Sequence, residues 1–123
     1  MSRIDGRGFL NVDLHLESAC GFSQLSAAFG DLVVVLSSEG GSLCLELAEQ
    51  PASPEEAVAR FAALVACLQG EARREWNECA RRILDVGIQL DAGAAHRCFL
   101  LPVATLTQAA DISAGIAITA YSG

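Results

Sequence analysis

An α+β sandwich, with helices mainly on one face of an antiparallel or mixed sheet, is the fold class this sequence predicts. Three observations predict it. Phe9–Glu17 (FLNVDLHLE) alternates apolar and polar residues with the two-residue period of a half-covered strand. Segments with apolar residues at helical spacing separate such runs. Ser38-Glu39-Gly40-Gly41 joins two extended runs as a hairpin.

Taken in order, the first strand ends in a loop, and Ser23 is expected to cap a short helix carrying Leu25, Ala28 and Phe29, closed by Gly30. Residues 32–36 (LVVVL) are apolar on both faces, as in a strand covered on both sides. Residues 42–48 alternate again and complete the hairpin. Ser53-Pro54-Glu55-Glu56 then supplies an N-cap serine, a proline at the first helical position and a glutamate at the third, the pattern of a capping box. Ala57, Val58, Phe61, Leu64, Val65 and Leu68 follow at helical spacing, and Gly70 stops the run.

A second helix is expected over 71–84, with Ala72, Trp76, Cys79, Ala80 and Ile83 on one apolar arc. Residues 86–90 and 96–101 read as short extended segments around the turn Asp91-Ala92-Gly93. Pro102 opens a last helix to about Ser113, and Gly115 leads into a closing strand over 116–121. The first part of this order is that of the ferredoxin-like split βαβ motif, a βαββαβ sandwich extended here by a C-terminal helix and strand. One domain over 1–123 is expected, long enough to bury a core without disulfides or metal.

The segment WNECARRILDVGIQL, a loop, and FLLPVATLTQAADISAGIAITAY resemble the C-terminal half of small uncharacterised bacterial α+β proteins. In those proteins a tryptophan-bearing helix leads to an extended segment, a further helix and a closing strand ending in tyrosine. The resemblance implies this architecture and carries no activity with it.

Composition narrows the chemistry. Hydrophobic residues make up 52% of the chain and charged ones 19%, greasy for a small protein, yet no run approaches the ~20 apolar residues of a membrane helix. The opening MSRIDGRGFLNVD has no continuous apolar core or cleavage site, so a cytoplasmic location is expected. Five cysteines at wide spacings, without a C-x-x-C pair, argue against a disulfide framework or zinc ribbon. The 15 acids against 8 bases give a charge of −7, and every base is arginine. Lacking lysine, the chain has no Schiff-base lysine and no P-loop lysine. Its acidity disfavours nucleic acid, and Arg73, Arg74, Arg81 and Arg82 read instead as a helix face laced by Arg74–Glu78 and Glu78–Arg82 pairs.

Two groups of residues stand out as surfaces. Asp13, His15 and Glu17 share one face of the first strand, and Cys44 and Glu46 are expected beside them, a carboxylate, imidazole and thiol set suited to a ligand or metal. The ordinary reading of that row is the wet face of a strand, and no bound metal or cofactor is expected. Ala59, Ala62, Ala63 and Ala66, with Cys67 at their border, form a small-residue helix face expected to pack against a neighbour, within the fold or across a subunit interface. Cys98 lies two residues from His96, too far along a strand for direct proton transfer, and no nucleophile elbow or dinucleotide fingerprint is present.

These readings make the chain a non-enzymatic protein-binding domain, a homo-oligomer or one half of a complex with a basic partner, as in a small acidic inhibitor or immunity-type protein. A ligand- or metal-binding domain using the open sheet face is the alternative, and a cysteine-dependent enzyme a further one.

Overall fold

The computed structural model describes residues 8–90 and 98–122. Strands β1 (Phe9–Glu17), β2 (Val33–Glu39), β3 (Ser42–Leu47), β4 (Arg81–Leu90) and β5 (Gly115–Ser122) form a sheet in the order β2-β3-β1-β4-β5. Helices α1 (Ser23–Phe29), α2 (Pro54–Ala66), α3 (Gly70–Asn77) and α4 (Val103–Asp111) lie between them in the order β1-α1-β2-β3-α2-α3-β4-α4-β5, and a short 3-10 turn (Gly30–Leu32) precedes β2. All pairings are antiparallel except β4 with β5, which is parallel across the α4 crossover, so the sheet is mixed and the class is α+β as expected.

The period-2 pattern decides which way the sheet faces. Val12, Leu14 and Leu16 of β1, Leu43, Leu45 and Leu47 of β3, and Leu84, Val86 and Ile88 of β4 are all buried. They share one core with Phe29 of α1, Val58, Phe61 and Val65 of α2, and Trp76 of α3. Residues between them in the chain point to the other face of the sheet. Among the described residues no helix is long and apolar enough to cross a membrane.

The α2 cap forms as the sequence indicates. Ser53 Oγ accepts from the Glu56 N–H at 3.1 Å, while Glu56 reaches back to the Ala52 N–H at 3.2 Å. Past its other end Arg73 donates to the Val65 and Leu68 carbonyls, tying α3 to the end of α2.

Three expectations are corrected. The helix expected over 71–84 ends at Asn77, and β4 begins at Arg81 rather than at residue 86. From Leu84 onward burial alternates, and pairing with β1 outweighs the helical arc that Ala80 and Ile83 would have extended. The Glu78–Arg82 pair therefore does not form. Arg82 instead donates to the Trp76, Cys79 and Ser113 carbonyls, with its guanidinium 5.8 Å from the Trp76 ring centre. The expected Arg74–Glu78 pair is present at 3.7 Å.

Second, β2 is an edge strand and is not covered on both faces. Only Val33 is buried, while Val34, Val35 and Leu36 are exposed together with Leu32 just before them. A register shift between Val35 and Ser37 bends the strand there. Third, Ser23 is not the cap of α1. Phe22 holds the N-cap position without a side-chain hydrogen bond, and Glu75 of α3 accepts from the Leu25 N–H instead. The turn Asp91-Ala92-Gly93 and His96 lie outside the described residues, and 98–101 join no strand.

Candidate functional site

Among the described residues the helices lie on one side and leave the other face of the sheet open, and β1 places Asn11, Asp13, His15 and Glu17 along it. Register then decides which side chains meet. Asp13 stands opposite Glu46 of β3 and opposite Asp85 of β4, and His15 opposite Cys44 and Ile83. One carboxylate is thus flanked by another on either side, with an imidazole and a thiol one step along the strand.

The side chains close on one another. The ligand atoms of Asp13, His15 and Cys44 all lie within 4.8 Å of each other. Cys44 Sγ is 3.7 Å from His15 Nε2, and Asp85 Oδ2 is also 3.7 Å from that nitrogen. Two outer contacts hold the carboxylates in place. Thr119 of β5 donates to Asp85 Oδ1 at 2.8 Å, and Asn11 donates to Glu46 Oε2 at 2.6 Å. The gathered negative charge acts on the acids themselves. Partial burial holds the Asp13 carboxyl above its usual range, reinforced by Glu46 and Asp85 and opposed by His15. Burial likewise raises the Cys44 thiol, with Asp13, Asp85 and Glu46 adding to the rise. Both groups hold their protons more tightly than usual, which weakens Cys44 as a nucleophile.

Of the five residues singled out in the sequence, Asp13, His15 and Cys44 form the cluster, and Glu46 borders it through Asp13. Glu17 lies farther along, lining a shallow depression of about 370 Å³ with His15, Arg81, Ile83 and Asp85. Asp85 is the residue the sequence reading missed, because that reading set it between a helix and a strand. Its signal was legible: Ile83, Asp85, Gly87 and Gln89 alternate with the buried Leu84, Val86 and Ile88.

The alanine face of α2 is divided. Ala59 and Ala62 are half-buried and line, with Gln108, Asp111 and Ile112 and with Arg73 of α3, a groove of about 410 Å³. Ala63 and Ala66 line the same groove but are exposed, as is Cys67. The neighbour for part of this face is therefore α4 of the same chain. Small side chains on α2 let the two helices approach.

Apolar exposure concentrates elsewhere. Leu32 (60% exposed), Val34, Val35 (50%) and Leu36 gather along the β2 edge. At the far edge, Ile118 and Tyr121 of β5 and Val103 and Leu106 of α4 are exposed as well. Protein-family models, curated proteins and solved structures offer no match to this chain.

Proposed function

We propose that this chain is a non-catalytic protein-binding domain that takes a strand of its partner along the β2 edge. The observation that carries this reading is β2 itself, an edge strand with valine and leucine exposed on both of its faces. The outer backbone N–H and C=O groups of an edge strand can hydrogen-bond an added strand, and exposed apolar side chains reward covering it. Edges that are meant to stay free generally carry lysine, proline or a very short strand. Here the seven residues of β2 hold no lysine or proline, and their only charge is Glu39 at the end.

The net charge of −7 selects the kind of partner. Two copies of so acidic a chain repel one another, whereas a basic protein is drawn in and oriented. This fits a small acidic inhibitor or immunity-type protein. The order β2-β3-β1-β4 is compatible with a ferredoxin-like split βαβ unit, with α4 and β5 as its extension.

The test is recovery of a partner during gentle purification from the native source, for the natural chain and for Val35→Lys. A lysine at the edge should abolish association while leaving the circular dichroism unchanged. Association that survives Val35→Lys would move the interface away from β2.

A further inference from the structure

We propose that Asp13, His15, Cys44 and Asp85 form a binding site for a zinc-class divalent cation on the open sheet face. Three of its members already stand at separations close to those a tetrahedral ion imposes. With Zn–S near 2.3 Å and Zn–N or Zn–O near 2.0 Å, ligand atoms at the tetrahedral angle stand about 3.5 Å apart for sulfur and nitrogen and about 3.3 Å for nitrogen and oxygen. The Cys44 Sγ to His15 Nε2 separation is 3.7 Å, and the same nitrogen lies 3.7 Å from Asp85 Oδ2. The Asp13 carboxylate stays within 4.8 Å of both the imidazole and the thiol. Asp85 approaches this set through His15 and stands as its fourth, outer member.

An independent observation is the electrostatic arrangement across three strands. Asp13 is paired directly with Glu46 on one side and with Asp85 on the other. Like charges directly opposite in a sheet are destabilising, and here two such pairs share one residue. A divalent cation between Asp13 and Asp85 turns that repulsion into attraction. The outer shell is already oriented: Thr119 ties one oxygen of Asp85 and leaves the other toward His15.

The donor set indicates the class of ion. A thiolate with an imidazole disfavours magnesium and calcium, which take oxygen ligands, and suits zinc. On coordination the Cys44 thiol gives up its proton to solvent and the sulfur binds as thiolate.

The experiment is a titration of the full chain, freed of metal by chelator, with Co²⁺ as a spectroscopic probe for zinc. One equivalent should give thiolate-to-cobalt charge-transfer absorption and tetrahedral d–d bands, both displaced by Zn²⁺. Cys44→Ser should remove the charge-transfer band, and His15→Gln should weaken binding at least tenfold. Thr119→Val, which leaves all four ligands in place, should weaken it about tenfold. Circular dichroism establishes that each variant is folded. Absence of the band at one equivalent, or a band that survives Cys44→Ser, overturns the site.

Discussion

Glu75 of α3 accepts a hydrogen bond at 2.8 Å from the backbone N–H of Leu25, a residue 50 positions earlier in the chain. Leu25 is the third residue of α1, whose own N-cap, Phe22, offers no side-chain acceptor. A buried carboxylate from one helix therefore supplies the cap of another, and its charge complements the positive end of the α1 dipole. Removing it in Glu75→Ala leaves a buried donor unpaired and should cost about 1–3 kcal/mol. Glu75→Gln keeps an acceptor and should cost less. Urea unfolding of both variants checks this order, and equal losses would mean that packing rather than the cap is at stake.

Trp76 joins three elements through one side chain. It is buried, its indole N–H donates to the Ile112 carbonyl at 3.2 Å, and Arg82 lies over its ring. Trp76→Ala should destabilise the fold by about 3–5 kcal/mol. Trp76→Phe keeps most of the apolar area and should cost less. A fully stable Trp76→Ala variant would contradict the placement of α3.

Gly41, in the turn between β2 and β3, packs directly on the backbone of Ser18 just after β1. Ser18 donates its N–H to the Gly41 carbonyl at 2.8 Å, and a Cβ on Gly41 would fall 2.7 Å from the Ser18 carbonyl oxygen. Relief requires the backbone to move, so Gly41→Ala should cost about 1–3 kcal/mol. A thermal melt that matches the natural chain would show that the hairpin tip shifts freely.

Asp13 gives the fold a pH dependence of definite sign. Its carboxyl is held above the ordinary value by burial, then by Glu46 and Asp85, against the lowering effect of His15. The folded chain thus holds that proton more tightly than the unfolded chain, and ionised Asp13 costs stability above its folded pKa. That cost fades as pH falls through the folded value and is gone below the ordinary one. In chelator, Asp13→Asn should therefore raise the melting temperature at neutral pH, with the gain vanishing in acid. A stabilisation independent of pH would assign the effect to something other than charge.

Thiol reactivity should separate the cysteines. Burial raises the Cys79 thiol, against the lowering effect of Arg82, and Cys44 is raised by burial and its acidic neighbours. Both should alkylate more slowly near neutral pH than exposed Cys20 and Cys67. Mass mapping after brief alkylation reads the order directly, and rapid labelling of Cys44 would restore it as a candidate nucleophile.

Much of this was legible in the sequence, and the exceptions share a cause. Alternation fixed the open face of β1, and the Ser53-Pro54 signal located the start of α2, because both are local. The α3–β4 junction is hidden because Trp76, Cys79 and Ile83 satisfy a helical wheel, while the strand pairing that overrides it comes from β1, about seventy residues away. LVVVL suggests an interior strand because a strand apolar on both faces looks the same at a sheet centre as at an unpartnered edge. Asp85 went unnoticed for the first of these reasons, and the Glu75 cap could not be read at all, since no local spacing links it to Leu25.

β2 is the edge that the proposed partner covers. The most direct measurement is amide hydrogen exchange across Val33–Glu39, compared between the isolated chain and the protein purified gently from its native source. The outward amides of β2 should exchange rapidly in the isolated chain and gain protection in the native complex, while those of β3 are unchanged. Exchange in β2 that is identical in the two samples would contradict the proposed function.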